Sequence, residues 1–159
     1  VSAKAILEQL RSSGQKLIFA ESITGGLLAD EFIREPGASD VVLGSEVTYA
    51  NELKSALLGV DEDLLEDKGA VSSEVALAMV QGVYAVGLGA SDLETGQLLA
   101  VATTGNAGPS GSPVGQVFLA LTDGKLKKVR EFNFKGSREE IRRQAVDTAV
   151  AMIWEQIKP

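Results

Sequence analysis

The chain contains no cysteine and no histidine in 159 residues. The first absence excludes disulfides, thiolate catalysis and cysteine-bound zinc. The second removes the commonest general base, the commonest metal ligand and any serine–histidine–aspartate triad. Hydrolytic chemistry here falls to Ser, Thr, Lys, Tyr, Asp, Glu or Arg. No stretch approaches the roughly 20 apolar residues of a membrane span, and no basic-then-apolar leader opens the chain. A cytoplasmic protein with no membrane partner is therefore expected. Opening on Val1 rather than methionine leaves room for an upstream segment.

Positive charge is in deficit. Fifteen Lys and Arg stand against 22 Asp and Glu, for a net charge of −7 and a pI of about 4.7. That balance argues against a general nucleic-acid surface. It leaves room for a small anionic ligand, because backbone amides and a few arginines can outweigh the global charge locally. Hydrophobic residues make up 45% of the chain, enough for one domain with a real core.

Apolar residues at helical spacing over 3–13 (AKAILEQLRSS) end at Gly14, and KLIFA at 16–20 reads as a buried strand. The pattern is helical again from Gly25 to about Arg34, stopping before Pro36 and Gly37. Residues 41–49 suggest a strand interrupted at Gly44. Short helices are expected over 51–58 and 61–67, and a longer one from a cap at Ser72 or Ser73 to about Val86. LLAVATT at 98–104 is a strong strand, and 114–122 and 128–134 form a hairpin around Asp123-Gly124. A last helix runs from near Ser137 to about Gln156. Strands alternate with helices early and an antiparallel pair comes late. This predicts a three-layer α/β/α sandwich with a mixed, mostly parallel sheet, whose strand order is not readable.

Four segments could carry chemistry. ESITGG at 21–26 lies where a buried strand becomes a helix. In open α/β sheets ligands bind outside the carboxyl ends of strands, and helix starts offer unpaired N–H groups. Gly25 and Gly26 would admit a ligand close to the backbone. The loop could hold a phosphate or an oxyanion beside Ser22. Alternatively, Thr24 or Ser22 only caps the helix. VTYANELK at 47–54 offers Tyr49 and Lys54. Lys54 is a base if the site desolvates it, and otherwise an exposed helix lysine. Tyr49 is either part of the site or a packed strand-end aromatic. TTGNAGPSGSPVG at 103–115 is either a long turn or a second ligand loop, in which Asn106 and the amides near Gly105 and Gly108 contact substrate. In KGSREEIRRQA at 135–145, Arg138 and Arg142 share one helix face. They either hold an anion or pair with Glu139 and Glu140.

In order along the chain, ESITGG, VTYANELKSALLGV, GAVSSEVA, TGNAGPSG with PVGQV, and GSREEIRRQA resemble the CinA C-terminal family, the nicotinamide-nucleotide amidases. The likeness covers nearly the whole chain and implies a single domain of this kind over residues 1–159. It implies hydrolysis of the carboxamide of nicotinamide mononucleotide to nicotinate mononucleotide and ammonia, with no metal or cofactor. By that resemblance Ser22 is the nucleophile, Lys54 its base and Tyr49 a residue that orients Lys54 or relays a proton. Amides around Thr24, Gly25 and Gly26 would hold the oxyanion, and Arg138 and Arg142 the phosphate. A non-catalytic nucleotide-binding module and a Ser/Lys hydrolase of another small amide are the competing readings. The sequence departs from the family in three places. Ile23 stands where Cys is frequent, Asn106 where an apolar residue is common, and Ser137 where an acid is usual. Some family members carry the domain behind a larger molybdopterin-binding-like one. Self-association is the default expectation for a small enzyme.

Overall fold

The computed structural model describes residues 1–159 and contains six helices and five strands. In chain order they are α1 (Ala3–Ser13), β1 (Lys16–Glu21), α2 (Leu27–Ile33), β2 (Val42–Val47), α3 (Asn51–Leu58), α4 (Glu62–Lys68), α5 (Ser73–Gly89), β3 (Leu98–Gly105), β4 (Gln116–Thr122), β5 (Lys127–Asn133) and α6 (Arg138–Ile157). The strand order is β2-β1-β3-β4-β5. β1 pairs in parallel with both β2 and β3, whereas β3–β4 and β4–β5 are antiparallel. β5 therefore points the same way as the first three strands, and only β4 runs against them.

Burial explains that order. β1, β3 and β4 are apolar nearly throughout and lie inside the sheet, as strands covered on both faces must. β5 exposes Lys127, Lys128, Arg130 and Glu131, and charges of this kind keep an edge strand from pairing further. The expected interruption in β2 is a register shift. Leu17 pairs with Val42 and Ile18 with Gly44, so Leu43 is left over. α1, α2 and α6 pack a core of 26 buried residues on one face, centred on Phe19, Phe32, Leu99 and Ile153. α5, with Leu58 from α3 and Leu65 from α4, packs 15 buried residues on the other. The predicted three layers are present, and no helix is long and apolar enough to cross a membrane.

Three boundaries matter for the site. α2 begins at Leu27 rather than at Gly25, because Gly25 and Gly26 both have positive φ (58° and 103°) and form a turn ahead of the helix. α6 begins as expected, with Ser137 and Glu140 forming a reciprocal cap. α3 rests on α5 at Gly82, where an added Cβ would lie 2.0 Å from the carbonyl oxygen of Leu58. Gly82→Ala gains about 0.5–1 kcal/mol of helix propensity. It must also displace the backbone at the end of α3, and overpacking of this kind costs about 1–3 kcal/mol. Denaturant unfolding should show a net loss of stability for Gly82→Ala, and an unchanged midpoint would contradict this packing.

Candidate active site

Ser22, Thr48 and Gly105 stand at or just past the carboxyl ends of the adjacent strands β1, β2 and β3, where open α/β sheets place their ligands. Lys54 comes from the first turns of α3. Side chains on a helix tilt toward its N-terminus, so a lysine at the fourth helical position reaches back over the residues that precede the helix. Its Nζ lies 3.0 Å from Ser22 Oγ and donates to the carbonyl oxygens of Thr48 and Tyr49, both at 2.8 Å. Lys54 is 1% exposed and Ser22 7%. Burial pushes the Lys54 pKa down from 10.5 to about 8, against the opposing pull of the Glu52 charge.

This geometry fixes the direction of the amine. A neutral amine has two hydrogens and one lone pair. The two carbonyls take both hydrogens, so in the neutral form the remaining direction, toward Ser22, is the lone pair. The same three contacts suit the ammonium, which then donates to Ser22. The pair can thus pass a proton between Oγ and Nζ without rearrangement.

The loop that carries Ser22 is held from below by Glu21, for which the sequence suggests no role of its own. Its side chain is fully buried with no cation beside it. Five donors satisfy it instead. Thr24 Oγ1 (2.7 Å), Gly26 N (3.2 Å) and Leu28 N (2.8 Å) reach one oxygen, while Ala29 N (3.2 Å) and Ser45 Oγ (2.7 Å) reach the other. The start of α2 is therefore already filled by an internal carboxylate. The signal in the sequence was an acid closing an otherwise apolar strand immediately before a helix start.

This arrangement revises which amides could hold an oxyanion. The Gly26 N–H is taken by Glu21, and the Gly25 N–H donates to the Ser22 carbonyl oxygen at 3.2 Å. Ile23 and Thr24 lie outside the helices and strands, and their N–H groups have no partner within the protein. The Thr24 side chain is buried on Glu21 and on Thr103 Oγ1, 2.8 Å away, so it braces the loop.

The other predicted residues are placed as follows. The carbonyl of Tyr49 contacts Lys54, but the residue is 63% exposed, and its hydroxyl accepts from Arg138 Nη2 at 3.1 Å. Arg138 Nη1 donates to the Gly108 carbonyl at 2.6 Å. Arg142 donates from Nε to the Ile23 carbonyl (2.9 Å) and from Nη2 to the Thr24 carbonyl (3.1 Å). Neither arginine pairs with Glu139 or Glu140, whereas the neighbouring Arg143 pairs with Glu31 and Asp147. Asn106 is turned onto its own loop, accepting from Gly108 N at 2.9 Å and donating to Pro113 O at 3.4 Å. A Cβ at Gly105 would come within 2.9 Å of Ile23 Cδ1, so Gly105 makes room for Ile23, which is buried in the core. The two departures at Ile23 and Asn106 thus have structural partners of their own.

The CinA C-terminal domain family model matches residues 1–157. The chain belongs to the CinA C-terminal domain family. It is 44% identical over 148 residues to a CinA-like protein of Geotalea daltonii, covering 91% of this chain and 33% of that one. The chain therefore spans about a third of the length of the curated relatives it matches. Among solved structures it resembles a competence/damage inducible protein of Agrobacterium tumefaciens. The TM-score there is 0.86 at 36% identity, over 96% of this chain and 92% of that one. It also resembles a CinA superfamily protein of Klebsiella pneumoniae, with a TM-score of 0.87 at 29% identity over 98% and 94% of the two chains.

Replacing Glu21 tests the frame of this CinA-family site. Glu21→Gln keeps the volume but replaces one accepting oxygen with an amide NH2, a donor, so that donors that now meet a carboxylate oxygen would meet another donor. The expected loss is about 1–3 kcal/mol of unfolding free energy, read from chemical denaturation. A variant as stable as the parent would show that the five contacts do not hold the loop.

Proposed function

We propose that this CinA-family domain hydrolyses the carboxamide of nicotinamide mononucleotide to nicotinate mononucleotide and ammonia. The observation that carries the reading is the 3.0 Å approach of Ser22 Oγ to a buried Lys54 whose other two contacts are carbonyls. With no histidine or cysteine in the chain, this pair is the nucleophile and base that the fold supplies.

In the first half-reaction Ser22 Oγ attacks the carboxamide carbon while its proton passes to neutral Lys54 Nζ. The oxygen that becomes negative is received by the unpaired N–H groups of Ile23 and Thr24. Lys54 then returns the proton to the departing nitrogen. The carbon–nitrogen bond breaks, ammonia leaves and an ester to Ser22 remains. In the second half-reaction water attacks the ester carbon and gives a proton to Lys54. The ester bond breaks, and the proton returns to Ser22 Oγ as the carboxylic acid forms. No step calls for a metal or a redox cofactor. Arg138 has no carboxylate partner and lies at the meeting of the Tyr49 segment and the 103–115 loop. It is the cation we assign to the substrate phosphate.

The test is to supply nicotinamide mononucleotide and follow ammonia release. Ser22→Ala should abolish release. Lys54→Arg should reduce it by at least about 10²-fold, because a guanidinium stays charged and cannot act as base. Since burial lowers the Lys54 pKa to about 8, the rate should rise with pH up to that value and level off above it. At pH 7 about one molecule in ten would carry the neutral amine. Binding without release would favour the non-catalytic module. Neither binding nor release would point to a hydrolase of another small amide.

A further inference from the structure

The contacts of Arg142 do not favour the phosphate role that the family resemblance implies for it. Two of its guanidinium nitrogens are engaged, each by a carbonyl of the nucleophile loop: Nε by Ile23 O and Nη2 by Thr24 O. These carbonyls follow directly on Ser22. The peptide bonds there are trans, since the chain's cis bonds lie at Gly108-Pro109 and Ser112-Pro113. In a trans peptide the C=O and the N–H of one planar group point in opposite directions. The Ile23 carbonyl and the Thr24 N–H belong to one such group. By holding that carbonyl, Arg142 turns the Thr24 N–H away from α6.

The rest of the loop leaves the same two amides free. Gly25 N closes a turn on Ser22 O, Leu27 N donates to Thr24 O, and Gly26, Leu28 and Ala29 donate to Glu21. Ile23 and Thr24 are the central residues of the turn, and their N–H groups alone go unused. Gly25 lets the guanidinium approach, since a Cβ there would lie 3.1 Å from Arg142 Nη2 and the residue's φ is 58°. A cation on the carbonyl end of a peptide also polarises that group, which strengthens its N–H as a donor.

We infer that Arg142 is a positioning residue for an oxyanion hole formed by the Ile23 and Thr24 amides, acting from α6 through the backbone of the nucleophile loop. The inference rests on the serine-nucleophile reading but does not depend on the choice of substrate. It makes Arg142 a determinant of the chemical step rather than of phosphate affinity, in contrast to Arg138.

The experiment has two readouts on wild type, Arg142→Ala and Arg142→Lys. The first is the rate at which a fluorophosphonate labels Ser22, followed by mass spectrometry, because phosphonylation also places charge on an oxygen facing these amides. Labelling of Arg142→Ala should fall by about 10²-fold, the usual cost of one oxyanion donor. Added guanidinium should restore part of the rate, and Arg142→Lys, with a single point of donation, should lie between. The second readout is steady-state turnover of nicotinamide mononucleotide, where kcat should fall and KM stay near the wild-type value. Wild-type labelling rates in Arg142→Ala would overturn the inference. So would a raised KM at unchanged kcat, which would return Arg142 to the phosphate. Wild-type turnover tests the substrate reading by itself, whereas the labelling ratio between wild type and variant tests this one.

Discussion

A lysine amine buried against two backbone carbonyls and one serine hydroxyl is the constraint on which the rest of the structure converges. Moving an ammonium out of water is costly, and the cost falls as the group gives up its proton. Two carbonyls offset part of that cost whichever form is present. They also orient the group, which an apolar pocket would not. The sign of the coupling to folding follows. A lysine whose folded pKa lies below its unfolded value binds fewer protons when folded. Stability is therefore lower below about pH 8 and recovers as pH rises toward the unfolded value. The fold thus gives up stability near neutral pH to keep an amine within reach of its neutral state, a trade found where chemistry is done.

The surroundings serve that constraint. β2, β1 and β3 end side by side, which brings the lysine's two carbonyls, the serine and the 103–115 loop to one edge. Glu21 below and Arg142 above hold the serine loop by opposite means. The carboxylate collects N–H groups, and the guanidinium collects carbonyls. Glu21 is taken up by three backbone N–H groups and two hydroxyls, and Arg142 by two carbonyls, so the charges that remain available to a ligand are few. Arg138, bridging Tyr49 and Gly108, is the cation left facing the loops. The acidic cleft between α3 and α4, lined by Glu52, Glu62 and Glu66, carries the wrong sign for a nucleotide.

Much of this was legible in the sequence wherever the signal was local. The buried runs of β1 and β3, the Asp123-Gly124 turn and the Ser137 cap are contiguous patterns, and they fold where those patterns stand. The alignment of Ser22 with Lys54 was legible only through likeness to a family, because thirty-two positions of chain separate them. Contacts made by backbone were not legible at all. Nothing in residues 47–54 announces that the Thr48 and Tyr49 carbonyls will hold Lys54. Nothing in α6 marks Arg142 for carbonyls 118 and 119 positions away. Gly25 and Gly26 misled for a related reason. As a glycine pair at a helix start they suggest open amides for a ligand, but the acid just before them claims one and the turn claims the other.

Everything proposed for chemistry depends on Lys54 losing its proton inside the folded chain at an accessible pH. The direct measurement is an NMR titration of the Lys54 ε-methylene carbon in selectively 13C-lysine-labelled protein, assigned by comparison with Lys54→Arg. A midpoint near 8, set apart from the surface lysines, is expected. A midpoint at the ordinary lysine value of 10.5 would contradict it.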